Sequence, residues 1–273
     1  MSSSTQPTTT ELTAQGTGHA RRVVLIGASN LTKSIGTVLE TSTRMWGSPL
    51  EMLVALGHGR SYGRTSRLLG MELPGIETCG LWNRLATAPE VPTAALVTDI
   101  GNDVLYEEPV EQIASWVRDC LDRLAAINAR TVVTLLPLDN LKSLSAARFY
   151  FVRKIFFPRG RISFSEVARR ARELNEEVRR MALERQFHVV APPAEWYGFD
   201  PIHIRFRQRP TVWRDILGGW RHTEPAIAPA SRAVRRTLYF YTRIPERRRV
   251  FGIEQRGQHP TTRLNCGTTI SLY

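Results

Sequence analysis

Five short apolar runs set the frame of this chain. They fall at about residues 22–27, 50–56, 94–98, 131–136 and 187–191, each rich in Val, Leu, Ile or Ala. Runs of that length and composition read as strands covered on both faces. Helical patterns lie between them. Leu31, Ile35, Val38 and Leu39 share one face after Ser29. Ile113, Trp116, Val117, Cys120, Leu121 and Leu124 recur at helical spacing after Pro109, a residue suited to a first helical position. Val167, Ala171, Leu174, Val178 and Met181 form a stripe behind a Ser163-to-Glu166 capping-box spacing. Strands alternating with such helices mean βαβ units. Right-handed crossovers then give a three-layer α/β/α sandwich around a mostly parallel five-stranded sheet.

The flanks of this core differ from it in composition. Residues 1–20 are polar, offer little to bury and read as a disordered leader with no secretory signal. No apolar run approaches the ~18 residues of a membrane span, so the expectation is a cytoplasmic chain. Residues 21–208 form the α/β domain. Residues 209–273 read as an Arg-rich C-terminal extension, with fourteen arginines from 201 onward against Asp215, Glu224, Glu246 and Glu254. That balance is +10 of the chain's +12. Such a segment attracts anions, so a nucleic acid or an acidic partner is a candidate occupant. Three widely spaced cysteines, Cys79, Cys120 and Cys266, make neither a disulfide framework nor a cysteine-rich metal site. Cys120 falls on an apolar helix face and reads as an inert core thiol.

The less regular stretches give coarser expectations. Leu141 to Phe157 carries Phe149, Tyr150, Phe151, Phe156 and Phe157, and reads as a helix that packs on the sheet or covers a pocket. Pro210 to Trp220 reads as a closing helix and Pro225 to Ala230 as a linker. Leu238 to Tyr241 and Thr268 to Tyr273 have strand character.

In an open parallel sheet, reactive groups gather beyond the carboxyl ends of the strands. The first strand stops at Gly27-Ala28-Ser29, a turn that presents one hydroxyl at the start of a helix; taken alone, Ser29 reads first as a helix cap. The second runs into Gly57-His58-Gly59-Arg60-Ser61-Tyr62-Gly63, where glycines let main-chain N–H groups approach a ligand. The third ends Thr98-Asp99-Ile100-Gly101-Asn102-Asp103, with an asparagine amide able to donate to an oxyanion. The fifth leads to Asp200-Pro201-Ile202-His203, whose spacing suggests one tight helical turn in which the carboxylate orients the imidazole. His58, Tyr62, Trp82, Tyr106, Trp196 and Tyr197 flank these ends. Together the four strand ends supply nucleophile, oxyanion donors, base and orienter, the set required for acyl transfer.

Over residues 21–206 the chain resembles the SGNH (GDSL-type) hydrolase superfamily, named for Ser, Gly, Asn and His in four blocks. Ser29 matches the nucleophile, within Gly27-Ala28-Ser29 where the family usually has Gly-Asp-Ser. Gly59 or Gly63 matches the oxyanion glycine, Asn102 the asparagine, and Asp200 with His203 the Asp-x-x-His block. The resemblance implies a flavodoxin-like sandwich and a Ser-His-Asp triad of Ser29, His203 and Asp200. It also implies an oxyanion hole of the Ser29 amide, Gly59 or Gly63, and Asn102, with no metal and no organic cofactor. The implied reaction is hydrolysis of a small-molecule carboxylester or O-acetyl group through an acyl-enzyme. Two departures are visible: Ala28 lacks the family's carboxylate, and Ile100 stands where the family has glycine. They leave two rival expectations. One is a weak or inactive binding module that uses the basic tail. The other is an acyltransferase with the same triad.

Overall fold

The structure, a computed structural model, describes residues 19–68, 70–139, 162–221 and 227–273. Nearly all of the expected leader, the helix expected over 141–157 and part of the 225–230 linker lie outside the described residues. In chain order the strands are β1 (Arg22–Ile26), β2 (Glu51–Ala55), β3 (Ser66–Leu68), β4 (Met71–Leu73), β5 (Thr93–Val97), β6 (Arg130–Thr134), β7 (His188–Val190), β8 (Arg248–Val250), β9 (Ile253–Gln255), β10 (Thr262–Arg263) and β11 (Thr269–Leu272). The helices are α1 (Ser29–Trp46), α2 (Leu81–Thr87), α3 (Asn102–Leu105), α4 (Val110–Ala126), α5 (Phe164–Glu184), α6 (Arg209–Leu217) and α7 (Val234–Tyr241).

All five expected strands are present, paired in parallel in the order β2-β1-β5-β6-β7. The sheet nonetheless has seven strands, because β11 adds in parallel beside β2 and β10 closes that edge antiparallel. Alternate residues of β1 face opposite layers. Val24 and Ile26 pack with Val117, Leu121, Leu174 and Val178 of α4 and α5. Val23 and Leu25 pack with Leu31 and Ile35 of α1 and with Trp213 of α6. This period-2 split between two buried faces is the three-layer sandwich.

The basic C-terminal residues are built into that sandwich. α6 buries Val212, Trp213, Ile216 and Leu217 against the α1 layer, and the Trp220 indole donates to the Ala95 carbonyl at 2.8 Å. α7 packs on α1 at Gly36, where a Cβ would lie 2.5 Å from the Ala233 carbonyl. Leu238–Tyr241, expected as strand, is the end of this helix. Thr237 and Phe240, three apart, turn to α1 and leave Leu238 and Tyr239 exposed, so a helical contact overrides β propensity. β8 and β9 join β3 and β4 in a small antiparallel sheet.

The strand order fixes where a ligand can sit. The chain leaves β1 toward the α1 face, and after β5 it enters α3 and α4 on the opposite face. The carboxyl ends of these two neighbouring strands therefore part and open a crevice.

Candidate active site

The crevice is bordered by the two loops that diverge there. Helix α1 begins at Ser29 itself, preceded by Ala28, with no side-chain cap from its own segment. The cap comes from the neighbouring strand end. Asp99 Oδ2 accepts the N–H groups of Ala28 (3.0 Å), Asn30 (2.9 Å) and Leu31 (3.1 Å). One carboxylate thus satisfies three amides around the helix start and opposes the positive end of its dipole. The Ser29 N–H is not among them, and no hydrogen bond engages it among the described residues. Asp99 holds its position with φ of +60°, a left-handed conformation tolerated by Asp.

The loop after β7 closes over this turn. His203 Nε2 lies 3.0 Å from Ser29 Oγ, across 174 residues of sequence, and His203 Nδ1 lies 2.6 Å from Asp200 Oδ2. Ser29 and His203 are both buried, at 7% and 8% exposure, so bulk water competes weakly for the bond. Asp200 is half-buried, which pushes its carboxyl up. The His203 imidazole, the Ile202 amide and the Lys33 charge outweigh this and hold the carboxyl below its ordinary value. Asp200 to His203 is not the helical turn expected. It is a bend closed by the Asp200 carboxylate, whose Oδ1 accepts the N–H groups of Ile202 (3.0 Å) and His203 (3.3 Å).

Asn30 fastens that bend to α1. Its Nδ2 donates to Asp99 Oδ1 (2.8 Å) and to the Ile202 carbonyl (3.0 Å), while its Oδ1 accepts the Ile204 N–H (2.9 Å). Asn30 and Asp99 are the residues of the candidate site that the sequence reading did not single out. Their signal was positional, because Asn30 follows Ser29 and Asp99 sits on the third strand end.

Asn102 and Ser29 line one cavity, of about 130 Å³, walled by Ile100, Leu105, Leu136, Val167 and Ile216. The Asn102 amide donates to the Arg60 carbonyl at 3.0 Å, which pins the glycine loop beside it. The two candidate glycines part here. Gly63 lies under Trp116, where a Cβ would meet the indole ring at 1.9 Å, and its N–H donates to Ser61 Oγ at 3.2 Å. Gly59 adjoins the pinned Arg60, adopts φ of +63°, and is held through its carbonyl by the Tyr106 hydroxyl at 2.6 Å. Its N–H has no partner among the described residues. Tyr62 is core, its hydroxyl donating to the Thr98 carbonyl at 2.7 Å, and Trp82 is likewise buried. Trp196 and Tyr197 line the cavity, whereas His58 lies outside it. Among the described residues, no group of three or more His, Cys, Asp or Glu side chains is placed to hold a metal ion. No described helix is long and apolar enough to cross a membrane.

A hydroxyl bonded to an imidazole, which is bonded to a carboxylate, can shed its proton as it attacks an electrophile. The unengaged Ser29 N–H and the Asn102 side-chain amide, in the same cavity, can receive the charge that develops.

Comparison with known proteins gives likenesses of fold. No protein-family model matches the chain, and no curated protein matches it. Similar solved structures include the psychrotrophic esterase EstA from Pseudoalteromonas sp., at 13% identity and TM-score 0.45, covering 74% of this chain and 99% of that one. A carbohydrate acetylesterase family member from Sinorhizobium meliloti is 13% identical at TM-score 0.47, covering 72% and 99%. The aryl esterase of M. smegmatis is 12% identical at TM-score 0.46, covering 73% and 95%.

Proposed function

We propose that this protein is a serine hydrolase of ester bonds, acting on a carboxylester or an O-acetyl group. The observation that carries the reading is the continuous chain Ser29–His203–Asp200, with bonds of 3.0 and 2.6 Å, beside a first-turn amide that Asp99 leaves unengaged. Ser29 Oγ forms a bond to the ester carbonyl carbon as His203 Nε2 takes its proton. Asp200 fixes the tautomer and steadies the imidazolium. The resulting oxyanion is received by the N–H groups of Ser29 and Gly59 and by the Asn102 amide. Collapse breaks the ester C–O bond, and His203 returns the proton to the departing alkoxide. Water then repeats the cycle on the acyl-enzyme, releasing the acid and restoring Ser29.

Gly63 has no part in this reading, because its N–H is spent on Ser61. The carboxylate absent at Ala28 is replaced by Asp99, which reaches the same turn from the adjacent strand. The apolar cavity suits an acyl chain or another uncharged substituent. The test is covalent. A fluorophosphonate should label the protein at Ser29, and Ser29→Ala should abolish both the labelling and the release of acetate from an aryl acetate. Labelling elsewhere, or undiminished turnover by Ser29→Ala, would sink the proposal.

A further inference from the structure

Outside the apolar cavity, the region around α1 has a different chemistry. Lys33 lies one turn along α1 from Ser29, on the same helix face. The chain has only three lysines, so this cation is not a by-product of arginine-rich composition. Arg209, at the start of α6, donates from Nη1 to the Lys33 carbonyl at 2.7 Å. His58, from the glycine loop, meets the Tyr241 ring of α7 edge-on with centroids 5.6 Å apart. Arg209 and Arg232 stand over the exposed Phe206 ring at 5.2 and 5.3 Å. None of Lys33, His58, Arg209 or Tyr241 belongs to the lining of the apolar cavity.

These cations lack the carboxylate partners that other arginines of this protein have. Arg169 and Arg180 each bond two glutamates. Among the described residues no carboxylate forms an ion pair with Lys33, Arg209 or Arg232. The nearest, Asp200 and Asp99, are committed to His203 and to the α1 amides. Burial pulls Lys33 and Arg209 below their ordinary ranges. Burial, with the charges of Lys33 and His203, pulls His58 down to about 4. All three are shifted first by burial, and a half-buried cation is costly unless an anion meets it.

We infer that Lys33, Arg209 and His58 form an oxyanion-binding rim, and that the ester is one whose alcohol half carries a carboxylate or a phosphate. This inference rests on the hydrolase reading and refines it. The uncharged acyl half enters the apolar cavity, the scissile carbonyl lies at Ser29, and the anion on the alcohol half meets the rim. The basic C-terminal segment is thereby half of the substrate site, through Arg209 and Tyr241.

Three acetate esters of a 3-hydroxyphenyl group test this: one bearing a ring carboxylate, one a ring phosphate, one the carboxylate's methyl ester. At low salt the wild type should favour at least one anionic ester over the neutral one by about tenfold in kcat/KM. Lys33→Met should cut that ratio by about tenfold, and Arg209→Gln should cut it too. Which anionic ester is favoured tells carboxylate from phosphate. A ratio within twofold of unity in the wild type, or a ratio that Lys33→Met leaves intact, overturns the rim. A second arm needs no turnover. In full-length Ser29→Ala, inorganic phosphate should raise the His58 titration midpoint from about 4 by about one pH unit, read from its ring-proton resonance. Phosphate that leaves this midpoint unmoved also overturns the rim. If no ester is cut and Ser29 takes no fluorophosphonate, the hydrolase reading falls, and the phosphate titration still decides whether the rim binds anions.

Discussion

Two carboxylates leave the end of β5 four residues apart, and they do opposite things with two serines. Asp99 turns toward β1 and gathers three amides around Ser29, without touching the Ser29 hydroxyl or its N–H. Asp103 turns toward the glycine loop and takes the Ser61 hydroxyl directly, together with the Tyr62 N–H at 2.8 Å. Ser61 spends everything it has. It is fully buried, its N–H donates to Ser66 Oγ, and its oxygen also accepts from Gly63 and Arg64. Ser29 keeps its N–H unengaged and its hydroxyl faces an imidazole. A serine beside a carboxylate is thus a brace when every bond is closed. On the proposed function, it becomes a reactive centre when the carboxylate organises the surroundings and leaves the serine available. Asn102, between the two carboxylates in sequence, ties the halves together through the Arg60 carbonyl.

The most direct way to break this contrast is to truncate each serine. Ser29→Ala should lower kcat on an aryl acetate by about 10⁴-fold or more, with little change in unfolding midpoint. Ser61→Ala should do the reverse. It leaves Asp103 and two N–H groups short of a partner, at a cost of about 1–3 kcal/mol in urea unfolding, while the folded fraction keeps turnover within a few-fold. Equal kinetic losses in the two variants would dissolve the distinction. Next in size is Asn102→Ala, expected to cost about 10²–10³ in kcat, the usual loss for one oxyanion donor. A smaller loss would mean that its bond to Arg60 is its whole role.

The comparison between the carboxylates is sharpened by Asp99→Asn. The amide keeps the shape but places neutral or donor atoms against the N–H groups of Ala28, Asn30 and Leu31. We expect kcat to fall about 10–100-fold through misplacement of the nucleophile, with KM little changed. Stability should drop by about 1–2 kcal/mol through the lost helix cap. A stability loss without a kinetic one would reduce Asp99 to a cap.

How much of this was legible in the sequence follows from the range of each interaction. The five strands and their parallel pairing are local patterns joined by handed crossovers, and they were readable. Ser29, Asn102, Asp200 and His203 were readable as candidates because each follows a strand and the sheet gathers strand ends on one edge. The Asp99 cap was not, since a helix start normally draws its cap from its own segment, and Ala28 gave no hint that a neighbouring strand supplies it. Gly59 and Gly63 were inseparable because both sit in one glycine-rich loop; the difference lies in the Trp116 ring packed on Gly63 from α4. The role of 209–273 was obscured by its charge. Its arginines dominate the composition, whereas two tryptophans, Trp213 and Trp220, both fully buried, anchor it to the core.

The last expected effect concerns Asp103 and is read by pH. Burial pushes Asp103 up from 3.8 to about 6 despite its bonds to Ser61 and Tyr62. Between pH 4 and 6 the folded protein therefore holds a proton that the unfolded chain has released. Ionising Asp103 costs the fold about 3 kcal/mol, absent below pH 4 and fully present above pH 6, so this group makes stability fall as pH rises. His58 works in the other direction. Burial and its cationic neighbours lower it from 6.5 to about 4, so the unfolded chain takes up a proton first and stability is lost as pH falls through that window. In the wild type the two slopes oppose each other between pH 4 and 6. Asp103→Asn removes the first and leaves the second, so its urea-unfolding free energy should climb from pH 4.5 to 6.5 more steeply than that of the wild type. Parallel profiles would show that Asp103 does not titrate in this range, and Ser61 would then differ from Ser29 in its bonds alone.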